Sequence, residues 1–141
     1  MISLTLAKQL KEAGLIWRAG VHDFFGIPDR GLDDQVFVIS DIMATMELLQ
    51  GWPAVTFHGT SEWALDYIWT HELVWLPTEG QLRAELENHL PPDTNYQLIR
   101  ETDLFRCVVY FAGQLEAFWG DTAVEVYAQA LLFTLKMNAP Q

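Results

Sequence analysis

The sequence predicts an α+β fold in a single domain spanning 1–141, and three observations carry that prediction. Strand-like runs stand at 35–39, 42–49, 54–58, 96–101, 104–111 and 114–119, while apolar residues at helical spacing mark the start, the middle and the end of the chain. The strands come in two groups, each followed by helix, instead of alternating with helices one by one. The expected architecture is therefore two antiparallel strand groups, or one mixed sheet, packed with N-terminal, middle and C-terminal helices. A chain of 141 residues, 50% of them apolar, suffices for one core, with a subdivision into 1–77 and 78–141 as the alternative.

Each element has a local reason. Leu6, Leu10 and Ala13 fall at helical spacing, and Gly14 is placed to end that helix in a left-handed cap. The run "VHDFFGIPDRGLDDQVFVISD" reads as a short strand, a turn, and a strand from Gln35 to Ile39 that is apolar on both faces and so predicted to be central. Ile42 to Leu49 alternates, with Thr45 and Glu47 sharing a face, and "QGWP" turns the chain into a strand from Ala54 to His58. "GTSEWALDYIW" reads as a short helix with Trp63 and Tyr67 on one face. Thr78 and Gln81 form a capping box before the stripe Leu82, Leu86 and Leu90, which "PP" ends. Three strands follow, joined at Thr102-Asp103 and Ala112-Gly113. Asp121 or Thr122 then caps a helix to Lys136, with Glu125 completing a box on Thr122.

Composition narrows the function. Eight Lys and Arg against 19 Asp and Glu leave a net charge of −11, which repels phosphate backbones and speaks against direct nucleic-acid binding. The single cysteine, Cys107, lies in the apolar run "LFRCVVYF" and reads as a buried thiol. No apolar run precedes Lys8 and Lys11 as in a signal peptide, and none reaches the ~18 residues of a membrane span, so a cytoplasmic protein without membrane contact is expected.

The chemistry-bearing motifs are incomplete. "THELVWLP" begins as a zinc-peptidase helix begins, but that motif needs a second histidine four residues after His71, and Trp75 stands there. His58, Glu62 and Asp66 would lie together on a helix starting near Thr60, where a carboxylate could orient the imidazole as a general base. Ser61 adds no nucleophile elbow, because Trp63 occupies the position of the second glycine. Asp29, Asp33, Asp34 and Asp41 could converge on a hard cation, yet their spacing fits no calcium loop; Asp33 and Asp34 are expected to shape a turn instead. Neither G-x-x-x-x-G-K nor G-x-G-x-x-G occurs, and no cofactor is expected. Of six tryptophans, Trp63, Trp69 and Trp75 read as core, while Trp17 and Trp52, beside turn residues, are the candidate binding residues.

Four segments, "MISLTLA", "IPDRGLDDQVFVISD", "FHGTSEWALD" and "VWLP", together resemble an uncharacterised bacterial protein family in which they follow in this order. The resemblance covers most of the first 80 residues and implies no activity. Some members carry the label pilus assembly protein; the ATPase usually meant by it needs a phosphate loop this chain lacks. The second half is similar, more loosely, to domains of the HicB antitoxin type, in which three strands and a G-D-T-x-x-E turn lead into a helix.

The reading favoured is a non-catalytic protein-interaction or regulatory protein whose acidic surface engages a protein partner. The alternative is a small hydrolase or ligand-binding enzyme using His58, Glu62 and the Asp29–Asp41 segment. The last helix is apolar around most of its circumference, so Val126 and Phe133 are expected to be left over for a homodimer closed by two-fold symmetry. Elemental analysis of the purified protein is expected to find no stoichiometric zinc, since Trp75 replaces the second ligand; about one zinc per chain contradicts this.

Overall fold

A computed structural model gives the fold, and it describes residues 1–40, 44–57 and 67–139. In chain order the elements are α1 (Leu4–Glu12), β1 (Phe24–Gly26), β2 (Phe37–Val38), β3 (Ala44–Leu49), β4 (Trp52–Phe57), β5 (Tyr67–Trp69), β6 (Val74–Trp75), α2 (Glu79–His89), β7 (Tyr96–Arg100), β8 (Phe105–Phe111), β9 (Gln114–Gly120) and α3 (Ala123–Asn138). The class is α+β. Among the described residues the strands gather into three antiparallel sheets of three, ordered β2-β1-β6, β3-β4-β5 and β7-β8-β9. The chain divides into two compact units, Ile16–Leu76 and Met1–Leu15 with Pro77–Gln141. One boundary thus falls at Leu76, and α1 belongs with the C-terminal unit. Among the described residues no helix is long and apolar enough to cross a membrane.

The larger unit is organised around α3. Ser3 starts α1 by accepting a hydrogen bond from the Leu6 N–H at 3.2 Å. Gly14, with φ +103°, ends it in a Schellman motif: its N–H donates to Lys11 O and that of Leu15 donates to Leu10 O. The Thr78–Gln81 capping box forms as predicted, and Leu82 and Leu86 are fully buried. Thr122 caps α3 by accepting from the Glu125 N–H at 3.1 Å. The Glu125 carboxylate, however, accepts from the N–H of Asp121, one residue earlier than a box on Thr122 requires. Gly120 makes room for this, since a Cβ there would stand 2.7 Å from the Glu125 Oε2.

α3 touches β8 and β9 as well as α1 and α2. That position accounts for its apolar circumference. Val126 is fully buried, and Phe133 packs against Phe111 and Phe118 at ring separations of 6.2 and 5.6 Å. The side chains expected to await a second subunit thus find cover in their own chain, Val126 completely and Phe133 in part. Thr134, also fully buried, satisfies its hydroxyl by donating to Ala130 O at 2.8 Å.

The second unit holds the two smaller sheets about one core of Phe25, Ile27, Phe37, Ile39, Ala44, Val55, Ile68 and Leu73. Two sequence expectations change here. Among the described residues the 35–39 run is an edge strand of two residues rather than a central strand, pairing with β1 alone, and it is covered on one face: Phe37 and Ile39 are buried while Val36 and Val38 stay 51% and 40% exposed. Tyr67–Trp69 is strand and not the end of a helix, because it pairs with β4 as Thr56↔Tyr67, Val55↔Ile68 and Ala54↔Trp69. Trp63 and the rest of that predicted helix lie outside the described residues.

Leu131→Ala, which removes a fully buried side chain from α3, is expected to cost about 2–5 kcal/mol in urea unfolding, against about 1 kcal/mol for Thr122→Ala at its cap. Equal costs would show that α3 is not the centre of its core.

Candidate functional site

The strand period of two sorts the β3-β4-β5 sheet into two faces. Ala44, Met46, Val55, Phe57 and Ile68 point to the core. The opposite face therefore carries Thr45, Glu47, Leu49, Trp52, Ala54, Thr56, Tyr67 and Trp69, as the pairing register requires. Trp52 is 64% exposed and Tyr67 44%, and the Tyr67 and Trp69 rings meet edge to face at 5.1 Å. Glu47 is the one formal charge among these eight side chains, and its Oε2 accepts the Thr56 hydroxyl at 3.1 Å.

The local sequence builds this face in two steps. Gln50 and Gly51, at φ +53° and +84°, make a two-residue turn of the type that matches strand twist, fixing the Leu49↔Trp52 register. That register places Glu47, Ala54 and Trp69 in one row across the three strands. Ala54, fully buried, stands in that row beneath a surface of indole, phenol and carboxylate. Such a surface has stacking faces and an anion, which suits a ligand with a planar or cationic group.

The residues expected from sequence are distributed differently. Of the two tryptophans chosen, Trp52 lies on this face. Trp17 instead packs on the core, its ring 6.0 Å from Phe25 and its Nε1–H donating to Asp23 Oδ2 at 3.0 Å. Trp69, expected in the core, is half-buried on the solvent-facing side. His58, Glu62, Asp66 and Asp41 lie outside the described residues. Asp33 shapes the turn by accepting the Asp29 N–H at 3.3 Å, with Asp29 itself in the left-handed region at φ +63°. Asp34 is exposed, and Arg30 pairs with Glu72 at 3.4 Å. Among the described residues no three His, Cys, Asp or Glu side chains converge on a common metal position. The "THE" segment is a single turn of 3-10 helix, Thr70–Glu72, running into β6.

No protein-family model, curated protein or solved structure matches the chain. The face on β3-β4-β5 must be judged by its own chemistry.

Sequence reasoning missed Glu47, Tyr67 and Trp69 as binding candidates. The signal was the alternation in "DYIW": read with period two, Tyr67 and Trp69 share a face and Ile68 takes the other. A helical reading dispersed them.

In the other unit burial raises three groups, Cys107, Tyr96 and Tyr127, and holds them neutral. Desolvation pushes the Cys107 thiol up to about 11, and it raises Tyr96, which also donates a hydrogen bond to Glu87. Tyr127 is raised by burial first and by Cys107 second. None is poised as a nucleophile at neutral pH. Below pH 9.0, the ordinary thiol value, Cys107 is protonated folded and unfolded alike; between there and about 11 only the unfolded chain ionises. Stability is thus expected to fall across that window, and Cys107→Ala to flatten the fall; an unchanged slope by chemical denaturation contradicts it.

Proposed function

We propose that this protein is a non-catalytic interaction protein that holds a cationic segment of a protein partner on the solvent-facing side of β3-β4-β5. The observation that carries this reading is the placement of Trp52, Tyr67 and Trp69 with Glu47 on one sheet face whose reverse is core. Indole is the strongest cation–π acceptor among side chains, and a neighbouring carboxylate adds a complementary charge. The net charge of −11 supports the same class of partner, since it attracts a basic segment from a distance and repels nucleic acid. A cytoplasmic setting belongs to the proposal, supported by the free buried thiol of Cys107.

Titration with hexalysine or hexa-arginine at low salt, followed by tryptophan fluorescence, tests it. Trp52→Ala is expected to weaken binding about threefold, the size of an exposed cation–π contact, without changing the melting temperature. Identical titration curves for the parent and a folded Trp52→Ala, Trp69→Ala double variant would exclude this face as the binding surface.

A further inference from the structure

This chain already holds one guanidinium between an indole and a carboxylate. In β7-β8-β9, Arg106 stands on the middle strand with Ile99 and Trp119 directly opposite on its two neighbours. Its Cζ lies 5.1 Å from the Trp119 ring centroid, and its Nη2 donates to Glu101 Oε1 at 3.1 Å, just past the end of β7. One outer strand thus supplies the stacking ring, the other leads into the anion, and the middle strand supplies the cation.

Sheet β3-β4-β5 also carries an indole and a carboxylate on its two outer strands, here with the carboxylate in the row itself and no cation between them. Glu47 stands on one outer strand and Trp69 on the other, and the middle strand places Ala54 in their row. With strands ~4.8 Å apart, the two flanks are separated by about 10 Å at the backbone. Ala54 ends at its Cβ and is fully buried, so the row contributes no cation of its own and a ligand meets the exposed parts of Trp69 and Glu47 above it. The Thr56 hydroxyl orients the Glu47 carboxylate from beside it.

We infer that the row Glu47–Ala54–Trp69 reads guanidinium: an arginine of the partner lies over the row, its plane against Trp69 and its edge toward Glu47, making the two kinds of contact that Arg106 makes with Trp119 and Glu101. This deepens the proposed cationic-segment reading and rests on it. Arginine is selected over lysine because its guanidinium is planar, weakly hydrated and able to stack while its N–H groups reach a carboxylate. A lysine ammonium is a strongly hydrated point charge that gains little from the same geometry. Long-range attraction to the acidic chain acts equally on both, so the difference between them isolates the site.

Calorimetric titration of the intact protein with hexa-arginine, hexalysine and hexacitrulline, the last keeping the shape without the charge, tests the inference. Hexa-arginine is expected to bind roughly tenfold more tightly than hexalysine, and hexacitrulline not to bind. Glu47→Gln, an exposed substitution that removes one negative charge of a net 11, is expected to abolish most of that preference. Ala54→Arg, which fills the row from within, is expected to bring hexa-arginine down to the level of hexalysine, with circular dichroism verifying its fold. Equal binding of arginine and lysine peptides overturns the guanidinium site and leaves the cationic reading standing; binding of neither overturns both. A preference that survives in Glu47→Gln overturns the assignment to this row.

Discussion

The alternation of side chains across a strand is the constraint on which the candidate site depends. Once Ala44, Val55 and Ile68 are committed to the core, Glu47, Ala54, Tyr67 and Trp69 have no choice of side. A register slip of one residue would bury Glu47 and expose Ile68, at a cost no single favourable contact offsets. The turn at Gln50-Gly51 and the burial of the opposite face therefore fix the aromatic surface jointly. Its rings are placed before any ligand arrives, which spares part of the ordering cost of binding.

A different constraint governs the unit built on α3. A helix touched by strands on one side and helices on another must be apolar nearly all round. Small residues at Ala123, Ala128 and Ala130 let neighbours approach, and larger ones at Val126, Leu131 and Leu135 fill the remaining space. Burial of Cys107, Tyr127 and Thr134 extends that logic to polar groups: each is kept neutral or bonded locally. On the face of the same sheet turned away from Phe133, Arg106 stacks on Trp119.

The two halves of the chain were unequally legible. Thr78 with Gln81, Thr122, and Gly14 are local signals, complete within five residues, and each produces its expected cap, although Glu125 closes on Asp121 instead of Thr122. The strands of β7-β8-β9 were equally clear, because long alternating runs separated by short turns leave one reading. The segment 35–39 was misplaced at the centre of a sheet because an apolar run does not reveal which edge finds a partner. Tyr67–Trp69 was misread because three residues cannot separate a strand from the last turn of a helix. With that error the site dissolved, since Trp52, Glu47 and Trp69 belong to one surface only through pairing.

By itself the sequence determined the α+β class, the caps, the turns and the failure of the zinc motif at Trp75, all set by residues within a few positions of one another. Tertiary structure alone decided that Trp17 packs on the core while Trp52 stays exposed, and that Val126 is covered. It also decided that Glu47, Ala54 and Trp69, 22 positions apart from first to last, share one row. The physical reason is that burial and cross-strand register are properties of the partner an element finds. A single strand or helix carries its own periodicity but not the identity of what lies against it.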